Sequence, residues 1–404
     1  MNYDVIIVGG GAAGLMCQHQ LSDKHLKVLV IDKNSILGKK LLLTGNGRCN
    51  VTNRYSPQEF IERIGGEQKK FFYKAIHSFS TEDVVNFFKT RGVPLKLEND
   101  FQYFPVSNKA KDIVDVLTKT NEETIIHYEE VVQDIKPHQT QFQVVTNKKR
   151  YLTKHVVIAS GSSSFPKTGS TGDGLIFAKE LKIETVPFYP AETKVYAKMI
   201  EKLSLQGLQI PNASVSLLQT KHRQKGDLLF THNGLSGPVI YHLSEEIYHS
   251  LAHNHKAVLS INLINITKDK FIHLLYESPA KTIESIVSKL TSKRLASNLF
   301  SSFQLPKKPI QDLKHETFNQ IYEFLTNFHV DIDKVEDKTL AYVNGGGVKT
   351  KELHPSTMES KKYPGLYFIG ETVDLHGPIG GYNITIAFST AYLAANHIKE
   401  NYDA

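Results

Sequence analysis

Three glycines near the start of the chain have the spacing of a phosphate-binding turn. Gly9, Gly11 and Gly14 follow an apolar run at residues 5–8 and open a short helical stretch. Gly9 permits a tight turn, Gly11 leaves room for a pyrophosphate beside the backbone, and Gly14 lets the helix pack close to the strand. The helix N-terminus offers N–H groups and a partial positive charge to the phosphates. These residues predict a dinucleotide-binding site.

An acidic residue stands where such a site needs one. Asp32 follows a second strand, which begins at Lys27 and is apolar at residues 28–31, and it can accept hydrogen bonds from a ribose hydroxyl pair. Strand, glycine turn, helix, second strand and terminal acid all agree, whereas an ordinary turn in an α/β domain would not require all of them. We assign the neighbouring Ala13 and Lys33 to the same predicted site.

A basic, glycine-rich segment follows at residues 37–53. Backbone N–H groups freed by Gly45 and Gly47 can surround an anion or the edge of a flavin. A plain surface loop is the simpler alternative. The predicted cofactor-binding residues of this segment are Lys39, Thr44, Gly45, Gly47 and Asn50.

Later segments offer further places where a cofactor can approach the backbone. A strand at 155–159 ends in Ser160-Gly161, and another at 365–369 ends in Gly370-Glu371. A glycine-rich turn at 376–383 opens a last helix, whose N-terminus suits the pyrimidine edge of a flavin. No second G-x-G-x-x-G follows a strand, so a nicotinamide would visit the first cofactor transiently. The predicted cofactor-binding residues here are Ser160, Gly161, Gly370, Glu371, Asp374, Gly380, Gly381, Tyr382 and Asn383.

The remaining pattern predicts the domain organisation. Short alternating segments at 191–265 favour a β-rich inserted domain, and residues 266–339 favour a helical subdomain. The first and last parts of the chain, 1–190 and 340–404, then form one discontinuous domain. We therefore predict an α/β protein with a Rossmann-like cofactor domain.

Two helical patterns carry more detail. Ser80 and Asp83 have the spacing of a capping box at the start of a helix. Further along, at about 100° per residue, one helix face carries possible metal ligands, namely His242, Glu246, His249 and His253. The opposite face is apolar, with Leu243, Ile247 and Leu251. We therefore interpret the histidine stripe as the solvated side of an amphipathic helix and predict no metal.

The composition is that of a globular protein, with 404 residues, 40% hydrophobic and 22% charged. Its two cysteines, Cys17 and Cys49, form no C-x-x-C pair, which argues against a disulfide framework or structural zinc and suits a reducing cytoplasm. No run of about eighteen apolar residues predicts a membrane span. Residues 1–17 carry Asp4 and no basic region, unlike a signal peptide.

The charge is unevenly distributed. The formal net charge is +7, and residues 191–330 hold sixteen Lys and Arg against eleven Asp and Glu. Such an excess can indicate a polyanionic partner. A basic, soluble surface without nucleic acid is the alternative that charge alone favours.

Together these segments resemble the aminoacetone-oxidase-like flavoprotein family, also described as the YhiN or BaiN-like family. The resemblance implies a tightly bound FAD, a discontinuous FAD domain, a β-barrel-like insertion and a small helical subdomain. Asp32 departs from the wider flavoprotein class, where glutamate is common, and Asn46 stands where glycine is common. The motifs that carry the resemblance lie at 9–14, 44–50, 168–174, 229–238, 344–348, 357–361 and 370–383.

The resemblance also implies a choice of activities. Family members are associated with amine oxidation, with reduction of activated double bonds in steroid-type substrates, and with reduction of uridine to dihydrouridine in large-subunit ribosomal RNA. The basic insertion fits the last activity, with FAD as cofactor and NAD(P)H as transient reductant. The target base would have to be exposed or flipped out. Residues expected to contact RNA phosphates are Lys293, Arg294, Lys307 and Lys308.

Three side chains are candidates for the chemistry of uridine reduction. Hydride transfer to C6 requires a general acid that protonates C5, and Cys49 is the first candidate because the glycine loop places it near the flavin. A small residue packed in a loop is the alternative for Cys49. Arg48 could hold a phosphate or a carbonyl oxygen, or form a structural salt bridge. His376 is a second proton-donor candidate.

Two other functions stay open on sequence alone. One is a small-molecule flavin oxidase or ene-reductase whose basic insertion is only a surface, and RNA binding that weakens with salt would argue against it. The other is a flavin-bearing assembly or redox-sensing protein. That protein would show slow flavin reduction by NAD(P)H, which no RNA or small molecule accelerates.

Overall fold

The computed structural model describes residues 2–22, 24–64 and 68–402. By their contacts these residues separate into two units. Unit 1 comprises the residues up to Tyr189 together with those from Val343, and unit 2 comprises Pro190–Tyr342. Unit 1 is therefore discontinuous in sequence. The further predicted division of residues 191–339 at 265 stays a prediction.

Unit 1 is built on a mixed sheet with helices around it. The apolar, β-branched sequences of its central strands suit a parallel sheet covered on both faces. Its strands are β1 (Asn2–Val8), β2 (Val28–Ile31), β3 (Thr52–Asn53), β4 (Leu95–Glu98), β5 (Gln102–Pro105), β6 (Thr124–His127), β7 (Val132–His138), β8 (Gln141–Thr146), β9 (Arg150–Ile158), β10 (Thr185–Glu192), β18 (Val343–Val348) and β19 (Leu366–Phe368). The last residues of β10 belong to unit 2. Its helices are α1 (Ala12–Leu21), α2 (Pro57–Arg63), α3 (Gln68–Ser78), α4 (Thr81–Thr90), α5 (Ala110–Leu117), α6 (Asp173–Glu180) and α13 (Tyr382–Tyr402).

The main sheet of unit 1 has the strand order β6-β2-β1-β9-β8-β7, and β19 also pairs with β9. The pairs β6-β2, β2-β1, β1-β9 and β9-β19 are parallel, whereas β9-β8 and β8-β7 are antiparallel. Strand β9 can pair with both β8 and β19 because β8 pairs with residues 150–153 and β19 pairs with residues 156–158.

The parallel strands end at one edge of this sheet. Val8 pairs with Ile31 and with Ile158, and Ile158 pairs with Phe368. The segments that follow these strands therefore start side by side, at the carboxyl edge where open α/β sheets bind ligands. Those segments carry Gly9, Asp32, Ser160 and Gly370.

The predicted capping box is confirmed at the start of α4. Asp83 N donates to Ser80 Oγ at 3.2 Å, and the Asp83 carboxylate accepts from Ser80 N at 2.8 Å. The two bonds satisfy backbone donors that the first helical turn cannot pair internally. The helix then buries Val84 and Phe88 in the core of unit 1.

Unit 2 combines an antiparallel sheet with six helices of the described chain. The sheet order is β16-β15-β12-β13-β14-β11-β17. Its strands are β11 (Val195–Tyr196), β12 (Gln209–Leu217), β13 (Arg223–Phe230), β14 (Gly234–Ser236), β15 (Val258–Asn262), β16 (Phe328–Asp331) and β17 (Lys334–Val335). Its helices are α7 (Lys198–Lys202), α8 (Pro238–Asn254), α9 (Lys268–Tyr276), α10 (Ile283–Leu290), α11 (Lys293–Ser302) and α12 (His315–Thr326).

Residues 266–339, for which the sequence predicts a helical subdomain, also form two strands. After α12, Phe328 and Val330 are buried while His329 and Asp331 are exposed, which is the alternation of a half-buried strand. The resulting β16 and the following β17 occupy the two ends of the strand order in unit 2. In the described part of the chain, no helix is both long and apolar enough to cross a membrane.

Gly14→Ala is expected to destabilise unit 1. An added Cβ would lie 1.9 Å from the Gly9 carbonyl oxygen, so α1 would have to move from β1 at a cost of about 1–3 kcal/mol. Gly11→Ala is the matched control, because its Cβ would meet nothing within 4 Å. Urea unfolding of both apo variants measures the difference, and equal free energies of unfolding would contradict this packing role of Gly14.

Candidate active site

The glycine turn after β1 presents backbone to a ligand. Gly9 has a φ of +108°, and a Cβ there would lie 2.6 Å from the Ala159 carbonyl oxygen. A Cβ on Gly11 would meet nothing within 4 Å. Gly11 is also the N-cap of α1 and has no side chain to bond the first-turn N–H groups, which suits an anion. Ala13 is small enough for Gly370 to approach closely, since a Cβ added to Gly370 would lie 2.8 Å from the Cβ of Ala13.

Asp32 is buried at the end of β2, and its carboxylate has three donors. Oδ2 accepts from Gly10 N at 2.7 Å, and Oδ1 accepts from N and Nδ2 of Asn34 at 2.8 Å each. These bonds orient the carboxylate and leave acceptor capacity for ribose hydroxyls. Sequence reasoning missed Asn34, although a D-x-N turn is a recognisable signal.

Two lysines assigned to the site from sequence have other surroundings. Lys33 Nζ donates to Thr171 at 2.6 Å and pairs with Asp173 at 2.5 Å, so its charge is balanced within the segment that begins α6. Lys39 has no hydrogen-bond or ion-pair partner among the described residues. The next residue, Lys40, contacts the acid that follows β19.

Lys40 forms an ion pair with Glu371. Its Nζ lies 2.8 Å from Glu371 Oε2 and 2.5 Å from Ser164 Oγ, and Ser162 Oγ donates to the same carboxylate oxygen at 2.9 Å. Burial raises the pKa of Glu371, but the Lys40 charge and these hydrogen bonds outweigh it and hold the pKa below its ordinary value. Glu371 is thus an ionised acceptor suited to ribityl hydroxyls. Sequence reasoning missed both of its partners, Lys40 and Ser162.

The segment after β9 shapes the backbone around this pair. Ser160 Oγ accepts from Gly174 N at 2.9 Å and so supports the first turn of α6. Gly161 has a φ of +76°, and a Cβ there would lie 2.9 Å from Ser170 Oγ. Ser160 and Gly161 therefore contribute to the site by fixing the course of the backbone.

The glycine-rich segment before β3 turns sharply. Gly45 and Asn46 each have a φ of +56°, and Cys49 has a φ of +61°. Cys49 N closes the turn by donating to the Thr44 carbonyl oxygen at 2.9 Å. Asparagine tolerates the left-handed region better than most residues, which explains how Asn46 adopts this conformation. Gly47 follows with a φ of +82°.

Cys49 lies in this turn but is fully buried, with 0% exposure. Burial raises the pKa of its thiol to about 12, and a hydrogen bond with Thr44 offsets only part of that effect. Such a thiol stays protonated at neutral pH and is a weak general acid. Its assignment as proton donor stays a prediction.

Arg48 is engaged within unit 1. Its Nη2 contacts both carboxylate oxygens of Glu98 at 2.6 Å, and its Nε donates to Asn108 Oδ1 at 3.1 Å. The guanidinium also lies 4.3 Å from the centre of the Phe104 ring. The hydrogen bond from Arg48 lowers the pKa of Glu98 to about 2. These contacts favour the structural salt bridge that the sequence left as an alternative.

The Asn50 amide joins this segment to the last glycine turn. In the orientation that satisfies both of its groups, it donates to Thr52 O at 3.1 Å and accepts from Gly381 N at 3.1 Å. A Cβ on Gly381 would lie 2.5 Å from the Thr52 backbone. Asn383 closes the turn, since its Oδ1 accepts from Gly377 N at 2.9 Å and its Nδ2 donates to Gly377 O at 2.8 Å.

Gly380 and Tyr382, two further predicted residues, are held in the same turn. Asn53 Nδ2 donates to Gly380 O at 3.1 Å. Tyr382 is buried and packs against Phe60, with ring centroids 4.6 Å apart. The Tyr382 side chain therefore belongs to the core, while its backbone begins α13.

Asp374 and His376 connect β19 to this turn. Asp374 N donates to Val348 O at 2.8 Å, which ties the connection to β18. His376 is half-buried, and its ring meets Tyr189 edge to face at 6.4 Å between centroids. Sequence reasoning did not single out Tyr189.

The four residues predicted to contact RNA lie in unit 2. Lys293 and Arg294 are the first residues of α11, and Arg294 Nη2 donates to Gln206 O at 2.5 Å. Lys307 and Lys308 lie between α11 and α12. All four are exposed.

The histidine stripe of α8 is divided among different partners. His242 Nδ1 bonds Glu192 at 2.9 Å, and this bond raises the pKa of His242. Glu246 instead contacts His222. Within the described ranges, no three or more His, Cys, Asp or Glu side chains are grouped as a metal site would require.

The residues at the carboxyl edge of unit 1 fit FAD. We use the name cradle for Gly9, Gly11, Asp32, Asn50, Glu371 and Gly381. The cradle combines open backbone at a helix N-terminus, an oriented acid for ribose, an ionised acceptor and two apposed glycine turns. Fold and cradle together define a FAD-dependent oxidoreductase of the Rossmann type.

The chain belongs to the HI0933-like family. The family model described as HI0933-like protein Rossmann domain matches residues 3–397. The resemblance inferred from the sequence motifs is thereby confirmed, as is the α/β fold class.

Two curated relatives match along nearly the whole chain. The ribosomal RNA dihydrouridine synthase of Escherichia coli is 29% identical over 98% of both chains. The 3-dehydro-bile acid delta(4,6)-reductase of Clostridium scindens is 26% identical over 98% of both chains. Among solved structures, the quinol fumarate reductase of Escherichia coli aligns with a TM-score of 0.54 at 14% identity, over 100% of this chain and 71% of that one. This structural likeness concerns the fold alone.

Lys40→Met is expected to weaken FAD binding about tenfold, because Glu371 loses a charge-assisted partner. The ion pair lowers the folded-state pKa of Glu371 from about 4.5. It therefore adds stability above that pH, and this stability is lost as the pH falls through the lowered value. The difference in thermal midpoint between wild type and variant should be largest at pH 7 and shrink toward pH 4.

Lys39→Met is the matched control for Lys40→Met. It removes an adjacent lysine without an ion pair among the described residues, so flavin retention and the pH profile of the thermal midpoint should match wild type. If both variants behaved alike, the role given to the Lys40–Glu371 pair would be wrong.

Proposed function

We propose that this protein is a FAD-dependent enzyme that reduces a uridine to dihydrouridine in large-subunit ribosomal RNA, with NAD(P)H as transient reductant. The observation that carries the proposal is the match to the Escherichia coli ribosomal RNA dihydrouridine synthase. That match spans 98% of both chains and so includes the cradle and unit 2 alike. We also propose a cytoplasmic location, where the RNA and the reductant occur.

The chemistry of uracil suits a flavoprotein. Its C5–C6 double bond is conjugated to the C4 carbonyl, so C6 can accept a hydride and C5 then takes a proton. The chemistry that FAD supplies when bound is hydride transfer, from a reduced nicotinamide to the uracil ring. The chain's own residues must hold the base, exclude water and provide the proton.

Of the two candidate proton donors, we favour His376. Cys49 has 0% exposure and a thiol pKa of about 12. His376 is half-buried and adjoins the Gly377–Asn383 turn, which the Asn50 amide links to the other glycine segment. Imidazole is also the side chain that enzymes use most often for proton transfer. Arg48, bound to Glu98, then shapes the loop.

Unit 2 is the proposed RNA-binding part. Phosphate contacts release counterions, so each one makes the slope of log affinity against log salt more negative by roughly 0.7–0.9. The exposed Lys293, Arg294, Lys307 and Lys308 are available for such contacts. They would position the RNA, whereas the base would be selected by residues of unit 1.

Deletion of the gene is expected to remove one dihydrouridine from large-subunit ribosomal RNA. Wild-type chain supplied in trans should restore it, and Asp32→Ala should not, because it removes the acceptor for the ribose hydroxyls. Mass spectrometry of nuclease digests measures the modification. An unchanged dihydrouridine content after deletion would overturn the proposal.

A second function is favoured by the Clostridium scindens relative, whose name describes reduction of a bile acid. Under that function the ribosomal RNA of the deletion strain is unchanged, and the purified protein reduces an activated C=C bond of a small steroid-type substrate with NAD(P)H.

His376→Gln is expected to slow dihydrouridine formation about 100- to 10,000-fold, the usual contribution of a general acid. FAD content and flavin reduction by NAD(P)H should stay near wild type. Cys49→Ala should lower the rate less than tenfold, and His253→Gln, on helix α8 of unit 2, is the matched control. Rapid-quench measurement of product separates these variants. Full activity in His376→Gln with a large loss in Cys49→Ala would return the role to Cys49.

A further inference from the structure

One buried amide beside the cradle lacks a partner for its oxygen. Asn344, on β18, is 6% exposed. Its Nδ2 donates to Ser163 Oγ at 3.1 Å. Its Oδ1 is buried and has no hydrogen-bond partner among the described residues. An unpaired buried acceptor is unfavourable, so native structures seldom keep one unless a ligand or water fills its place.

The surroundings of Asn344 connect it to the proposed reaction. Ser163 lies between Ser162 and Ser164, whose hydroxyls contact the Lys40–Glu371 pair. On the other side, a Cβ on Gly345 would lie 2.3 Å from Tyr189 Cζ, so the tyrosine ring rests on the backbone next to Asn344. The same ring meets His376 at 6.4 Å between centroids. Asn344 is therefore connected through Ser163 and its neighbours to the ionised acid of the cradle, and through Gly345 and Tyr189 to the favoured proton donor.

A free amide oxygen selects for a particular hydrogen-bonding edge. Uracil presents an N3–H donor between its two carbonyl oxygens. Cytosine presents an unprotonated N3 acceptor at the same position, which would face the Asn344 oxygen acceptor to acceptor. A buried acceptor thus rewards uracil and penalises cytosine, because one base satisfies the group and the other leaves it unpaired.

We propose that Asn344 is a specificity-determining residue whose Oδ1 accepts a hydrogen bond from N3–H of the substrate uracil, with Ser163 positioning the amide. The assignment rests on the proposed function, since it presupposes that a uracil ring is the substrate. It makes Asn344 the residue that distinguishes uridine from cytidine and from N3-methyluridine.

The test uses FAD-loaded full-length protein, NADPH and three single-stranded RNA oligonucleotides that differ at one base: uridine, N3-methyluridine or cytidine. Wild type should prefer uridine over N3-methyluridine by about 10- to 100-fold in kcat/KM. Asn344→Ala should lower the uridine rate to that of N3-methyluridine and leave the N3-methyluridine rate unchanged. Asn344→Asp keeps an acceptor at this position and should retain most of the preference.

Asn319→Ala is the matched control. Asn319, on α12 of unit 2, also has a buried Oδ1 without a partner among the described residues. Its loss should leave base discrimination unchanged. Thermal midpoints and the ratio of flavin to protein absorbance show whether each variant is folded and loaded.

The outcomes separate the two proposals. Turnover of uridine with undiminished discrimination in Asn344→Ala overturns the assignment alone. Weaker retention of FAD by Asn344→Ala, with discrimination intact in the fraction that stays loaded, also overturns it and indicates that the amide bonds the imide group of the flavin. A wild-type protein that reduces none of the oligonucleotides overturns the proposed function and this assignment with it.

Discussion

The common register of four parallel strands places the parts of the candidate site. Val8, Ile31, Ile158 and Phe368 lie side by side, so the residues that follow them emerge at one edge. A shift of a single residue would turn every side chain of a strand to the opposite face, and the last residues of all four strands are buried on both faces. Apolar residues with no chemistry of their own therefore determine where the phosphate turn, the ribose acid and the Glu371 carboxylate lie.

Two acids of the cradle are stabilised by different means. Asp32 is held by the N–H groups of Gly10 and Asn34, which orient it without adding a charge. Glu371 has a cation, Lys40, and a serine hydroxyl. The first arrangement suits a hydrogen-bond acceptor whose direction matters. The second also sets the local charge, so a change at Lys40 acts on the electrostatics of the site as well as on its geometry.

Short-range patterns predicted much of this molecule. The strand-glycine-helix fingerprint and the Ser80–Asp83 capping box depend on residues close in sequence, and the two cap bonds are present. Contacts between residues far apart in the sequence could not be predicted from these short-range patterns. Lys40, not Lys39, meets Glu371, 331 residues away, and no local pattern distinguishes the two lysines. Residues 343–348 form a strand despite three consecutive glycines, and Gly345 and Gly346 accommodate Tyr189 and Pro187.

The contacts that complete the cradle also bear on when it can form. Ala13 approaches Gly370, and Thr52 approaches Gly381, so each contact joins the two ends of the chain. A ribosome that adds about 5–20 residues per second delivers Glu371 roughly 20 to 70 seconds after Asp32. During that interval α1 lacks α13, the helix that packs on it in the finished protein. The cradle is therefore complete only after Gly381 has been synthesised, so binding of the cofactor to the whole cradle cannot precede that point.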